Sequence, residues 1–243
     1  MACKDLPDHT RKVIIEYTGG FIGLEELATR LGFIAPFNLQ GNVVLMEDFE
    51  TEMTEWLYET EGGPGAPVRS SRHKWSGNWS ADLAVNAVIN SYTEITRHIH
   101  FPGLVKYGLF GRFCWKDDCR FVALTIDLDD NTNIHSIRVG YSLPTNQVAV
   151  FDDTPGWQNL LPLLDLANTE WAWYPFLVTF DLATLRYDKL YIAGHEYDLS
   201  TYGIARFPTA GFERTIIGAT GQEVLAIGFT FYVEDIVLVK NLP

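Results

Sequence analysis

The sequence predicts an all-β protein, a two-sheet antiparallel β-sandwich over residues 43–243 preceded by an arm over residues 1–42 that carries one short helix. Three observations predict it. From Val43 onward, ten or more stretches of strand length follow one another with almost no helical periodicity between them. Many of them alternate apolar and polar residues, as antiparallel sheets with one wet face do. The composition, 47% hydrophobic and 14% aromatic with 20% charged residues, supplies enough apolar mass for a core and excludes wholesale disorder.

The arm comes first. After Thr18-Gly19-Gly20, the positions Leu24, Leu27, Ala28 and Leu31 recur at helical spacing. Glu25 and Glu26 lie in the first half, Arg30 in the last turn, and Gly32 follows as a stop. The flanks, Val13 to Tyr17 and Phe33 to Phe37, are apolar but too short to close a core together. The arm must therefore bury Ile14, Tyr17, Phe21, Leu24, Leu27, Leu31, Phe33 and Phe37 on something else, either its own domain or a neighbouring subunit. A homo-oligomer joined through this arm is the expectation.

The strands follow. Val43 to Met46 leads into Glu47-Asp48-Phe49-Glu50, and Ala81 to Val88, Thr93 to His100, Tyr107 to Trp115, Arg120 to Asp127 and Ile134 to Ser142 come next. Then come Gln147 to Phe151, Phe176 to Phe180, Lys189 to Ile192, Arg214 to Gly218 and a last run from Val224 to Lys240. The alternation is strict at Ile95, Arg97, Ile99 and Phe101, which share one face, against Thr96, His98 and His100 on the other. Turn clusters such as Phe101-Pro102-Gly103, Asp129-Asp130-Asn131 and Ala193-Gly194 separate the strands. With no internal repeat or low-complexity linker, one body domain is expected.

Charge and cysteine content narrow the function. Eighteen Lys and Arg against 31 Asp and Glu leave a net charge of −13, which repels phosphate backbones and disfavours nucleic acid as a partner. No apolar run approaches the roughly 18 residues that span a bilayer, so no membrane partner is expected. The apolar stretch Val13 to Ile15 is too short for a signal-peptide core, and synthesis in the cytoplasm is expected, with display on a virion or particle surface in view. Cys3, Cys114 and Cys119 are too few for a disulfide scaffold. Cys114 and Cys119 bracket a tight turn, which leaves a hairpin disulfide open beside the favoured reading of two thiols.

Three local patterns resemble the concanavalin-like, laminin-G-like jelly-roll superfamily, which includes many carbohydrate-binding modules. The first is Met46-Glu47-Asp48-Phe49-Glu50 followed by Trp56. The second is Trp171 to Leu199, containing Phe176-Leu177-Val178-Thr179-Phe180-Asp181 and Lys189-Leu190-Tyr191-Ile192-Ala193-Gly194. The third is Phe231-Tyr232-Val233-Glu234-Asp235-Ile236-Val237-Leu238, similar to the closing strand of these sandwiches. The resemblance covers roughly residues 45–240 and implies a jelly roll, a fold that serves lectins, glycosidases, adhesion domains and virion proteins alike. It also implies a place for a structural calcium, held by oxygens of the opening and closing strands: here Asp48 or Glu50 with Glu234 or Asp235. The competing reading of those acids is solvated edge charge, and no cofactor is otherwise expected.

Catalytic sets are hard to find. Only Asp48 and Glu50 share a strand face among the acids near Phe49, short of a facing glycosidase pair. His98 and His100 lie two apart without a third ligand nearby, and neither a nucleophile elbow nor a phosphate loop is present. Aromatic residues are the remaining hint of binding, because sugar rings stack on exposed Trp and Tyr. Trp75, Trp79, Trp115, Trp157 and Trp173 are the candidates for a saccharide platform, against the alternative that such side chains fill the core or a subunit contact. Two functions follow. The favoured one is a non-enzymatic structural or assembly protein, of the phage capsid-decorating or tail-associated kind; the alternative is a carbohydrate-binding module or lectin with a glycan partner.

Overall fold

In a computed structural model the described residues are 41–61, 66–75, 77–115, 120–154, 156–164, 166, 172–211, 213–223 and 228–242. The arm contacts expected from Ile14, Tyr17, Phe21, Leu24, Leu27, Leu31, Phe33 and Phe37 lie outside them, as do the short helix, Trp171 and Cys119.

Two antiparallel sheets of eight strands each face one another. The strands are β1 (Asn42–Glu47), β2 (Leu57–Glu61), β3 (Val68–Ser70), β4 (Ser80–Val85), β5 (Tyr92–Ile99), β6 (Lys106–Trp115), β7 (Phe121–Asp129) and β8 (Asn133–Ser142). They continue as β9 (Gln147–Asp152), β10 (Gly156–Asn159), β11 (Trp173–Asp181), β12 (Arg186–Ile192), β13 (His195–Asp198), β14 (Ala205–Pro208), β15 (Arg214–Gln222) and β16 (Phe229–Lys240). The first sheet runs β13-β12-β11-β6-β16-β4-β3, with β1 also on β16. The second runs β10-β9-β8-β7-β15-β5-β2, with β14 also on β8.

Alternation builds the core. Along β6, Tyr107, Leu109, Phe113 and Trp115 point inward, and along β7 Val122, Leu124, Ile126 and Leu128 meet them from the other sheet. Trp115 is 3% exposed and stacks on Tyr174 and Tyr141 at ring separations of 4.6 and 5.7 Å. Tyr187 crosses between the sheets. Its hydroxyl donates to the Phe151 carbonyl at 2.8 Å and accepts from the Arg138 amide at 3.1 Å. It stands where β8 leaves β9, whose pairing stops at Val139 and Val150, so a side chain completes what the ladder leaves open.

β16 divides its pairing. Its first half lies on β4 and its second half on β1, with β6 along the other side throughout. A bulge between Glu234 and Val237 marks the division, and Asp235 adopts a φ of 53° there.

The run expected from Val224 to Lys240 is narrower than predicted, because β15 extends to Gln222 and β16 starts at Phe229. Gly221 lies beyond the strand expected over Arg214 to Gly218, yet it sits within β15, where a Cβ would strike the Phe231 ring.

Candidate functional site

The outward face of the second sheet gathers the described polar and aromatic groups best placed for a ligand. Registers fix who stands beside whom. One row across the sheet reads Glu59, Glu94, Thr220, Ala123, Gly140, Ala149 and Asn159. The next reads Leu57, Thr96, Gly218, Thr125 and Arg138. Small residues therefore occupy the middle of the face, over the apolar inward neighbours Ile95, Ile217, Leu124 and Val139. Gly140 is obligatory for this floor: a Cβ there would meet the Phe121 ring and come within 2.8 Å of the Val122 carbonyl oxygen.

Larger groups rim the floor. Trp157 is 38% exposed, and its ring meets Phe121 and Phe151 edge-on, with centroids 4.9 and 5.8 Å away. The Arg138 guanidinium stands 5.6 Å from the Phe151 ring, receives order from Ser136 Oγ at 3.0 Å, and pairs with Asp127 at 3.5 Å. Thr125 Oγ1 donates to Glu94 Oε1 at 3.3 Å, and the Tyr92 hydroxyl donates to Glu59.

Electrostatics single out Glu94. Burial pushes its carboxyl above the usual range, Asp127 and Glu59 add to the push, and Arg138 and Thr125 oppose it. The hydrogen bond to Glu59 holds the Tyr92 phenol up at about 12, with burial second. The face thus combines hydroxyl and carboxylate hydrogen-bonding groups with an aromatic wall, the chemistry that grips a polyhydroxylated ring.

The sequence-predicted platform is not brought together. Trp115 is a correction: it lies in the core, because an odd-numbered position on β6 faces the opposite sheet. Trp75, 51% exposed, stands 5.1 Å from the Arg112 guanidinium, and Trp79 lies under Arg69 at 4.4 Å. Trp173 pairs with Cys114 on the first sheet, so of the five only Trp157 stands on the face described above. Glu94, Asp127, Arg138, Phe121 and Phe151 were missed by sequence reasoning. Their signal was present as charges and aromatic residues at outward positions of otherwise apolar strands.

The acids expected to hold calcium are engaged with protein donors. Glu50 accepts from the Trp79 amide at 3.0 Å and also from the Asn78 amide, while Asp48 Oδ1 caps the Glu50 amide at 3.1 Å. Glu234 accepts from the Trp75 amide at 2.5 Å, and Asp235 pairs with Arg112 in the buried bulge. Among the described residues, no three His, Cys, Asp or Glu side chains group as a metal site. The acidic strand end around Glu47, Asp48, Glu52 and Glu55 lines a cavity of about 510 Å³ with Arg97. Arg97 there binds Glu47 at 2.7 Å and also Glu55, so these charges serve the strand junction. Cys114 is a buried free thiol whose burial, with Glu234 second, raises it to about 12.

No protein-family model matches the chain, and no curated protein matches it by sequence. Solved structures do match in shape. An endo-β-1,4-glucuronan lyase from the fungus Trichoderma reesei aligns with a TM-score of 0.54 at 10% identity, over 82% of this chain and 96% of that one. A carbohydrate esterase of the Shiga toxin-encoding bacteriophage phi24B aligns with a TM-score of 0.54 at 10% identity, over 83% of this chain and 99% of that one. The shared fold is a two-sheet antiparallel β-sandwich. At this identity the likeness is one of fold alone. Among the described residues, no helix is long and apolar enough to cross a membrane.

Proposed function

We propose that the protein binds saccharides on the outward face of its second sheet and does so without cleaving them. One observation carries this reading: the wall of Trp157, Phe121 and Phe151 stands beside Glu94, Asp127 and Arg138 over a floor of small residues. A sugar offers an apolar C–H face to such a wall and hydroxyls to such carboxylates, so both halves of the ligand find partners. Glu59, Glu61, Glu94 and Asp127 outnumber Arg138 on this face, which favours neutral glycans and repels acidic ones. The two solved structures named above, a glucuronan lyase and a carbohydrate esterase, agree with carbohydrate work on this fold without assigning it here.

The assembly reading rested on the arm, outside the described residues, whereas the saccharide face lies within them. A glycan array followed by titration calorimetry tests the proposal. Specific binding of a neutral glycan that drops at least tenfold in Trp157→Ala supports it, and a blank array, or binding indifferent to Trp157→Ala and Arg138→Ala, overturns it.

A further inference from the structure

The opposite surface, the outward face of the first sheet, carries a strip that ought to be wet and is not. Met46, Val237, Phe110, Leu177 and Tyr191 stand side by side in one row, one from each of β1, β16, β6, β11 and β12. Outward positions on a sandwich face water unless something lies over them. Yet Phe110 and Leu177 are 2% exposed and Val237 0%, with Val239 beside them at 2%. They form an apolar cluster separate from the main core, flanked by Val43, Met46, Tyr191 and Leu242. Among the described residues the Arg112 guanidinium, 5.4 Å from the Phe110 ring, and Leu242, packed on the cluster, shield part of the row.

We infer that residues 1–40 of the same chain are the cover of this strip. Reach decides among the candidates outside the described residues. Segments 62–65, 116–119 and 224–227 are four residues each and tie one strand end to the next, so each spans at most about 14 Å with both ends fixed. Segment 224–227 ends just before Phe229, eight residues and about 26 Å of strand from Val237. Residues 167–171 are held between Leu166 and Ala172, which both pack on the main core on the other side of the sheet. The leading forty residues are the only long stretch, and they join the body at the strip itself: β1 starts at Asn42, and Val43 packs on the cluster. Their own apolar side chains, Ile14, Tyr17, Leu24, Leu27 and Leu31 among them, need a surface of this kind. Seating them in cis uses up the surface that an arm-joined oligomer would need, and it leaves the saccharide face on the other sheet open.

Photo-crosslinking of the full chain tests the inference. Tyr191→p-benzoylphenylalanine places the probe at the rim of the strip, and an equal mixture of unlabelled and 15N-labelled protein separates cis from trans. Irradiation and peptide mass spectrometry are expected to give isotope-matched adducts with peptides from residues 1–40. Adducts confined to residues 41–243, mixed-isotope adducts from an exchanged arm of a second copy, or no adduct at all would overturn it. A chain starting at residue 41 provides the second readout. It is expected to bind the dye ANS severalfold more strongly than the full chain, and unchanged dye binding would also overturn the inference.

Discussion

Replacing Tyr187 by Phe is expected to lower stability by about 2 kcal/mol while leaving the apolar packing of the ring intact. The ring is 1% exposed, so Phe keeps its contacts and only the hydroxyl goes. That hydroxyl holds the Arg138 amide and the Phe151 carbonyl, two backbone groups with no ladder partner at that point. A neutral hydrogen bond contributes roughly 1 kcal/mol net, and two are lost. Partial access of water to both backbone groups keeps the loss near that sum and below the full penalty of two buried orphans. For a body of about 200 residues this corresponds to a fall in Tm of about 4–8 °C. Urea unfolding followed by tryptophan fluorescence reads it directly, through a lower midpoint at an unchanged slope. A loss below about 0.5 kcal/mol would refute the reasoning, because the strand gap would then be held by something other than this side chain. Glycan affinity should fall as well, since Arg138 and Phe151 flank the gap and belong to the proposed face.

Other outcomes follow from the same geometry. Trp157→Ala is expected to abolish glycan retention in affinity electrophoresis while shifting Tm by less than about 2 °C, since the ring is partly solvated already. Glu94 has a folded-state pKa raised by burial, so its penalty is absent at low pH and grows as pH rises from the ordinary carboxylate range through the raised value. Glu94→Gln is therefore expected to stabilise the protein at pH 8 and to flatten the fall in Tm as pH rises above the ordinary carboxylate range; an unaltered profile would contradict this. Gly140→Val is expected to cost about 1–3 kcal/mol and to displace Phe121, read by chemical denaturation, because the added atoms meet a ring and a backbone oxygen. The Cys114 thiol, held at about 12 by burial, is expected to resist iodoacetamide at pH 8 until denaturant is added, as mass spectrometry of the labelled peptide would report.

The body of the fold was legible because two-residue alternation survives in long strands. Ile95, Leu124 and Val139 each sit where the pattern points them, with 0% exposure. Short edge strands were not legible: β2, with Glu59 and Glu61 outward, and three-residue β3 carry too few apolar residues to stand out from loops. The proposed face was read only through Trp157. Tryptophan drew attention as a residue type, but type cannot tell Trp115, stacked inside the sandwich, from Trp157 on its surface. The more informative signal was positional. Asp127 and Arg138 place charges on central strands flanked by Ile126, Leu128, Ile137 and Val139, and a charge on a central strand must either face solvent or be neutralised.

The divided strand β16 has a consequence for how the chain reaches this form during synthesis. Among the described residues, Asn42–Glu47 pairs with Ile236–Lys240, and Ala81–Val85, beyond its short pairing with β3, pairs with Phe229–Val233, so two early segments wait for the last one to join the sheet. A growing polypeptide therefore leaves the ribosome with the two halves of one sheet unzipped, and closure is a single late event of long sequence separation. Loss of even the final half-dozen residues would remove the partners of Asn42, Val43 and Leu45 and leave the opening strand held through Met46 and Glu47 alone, a short and unpaired edge.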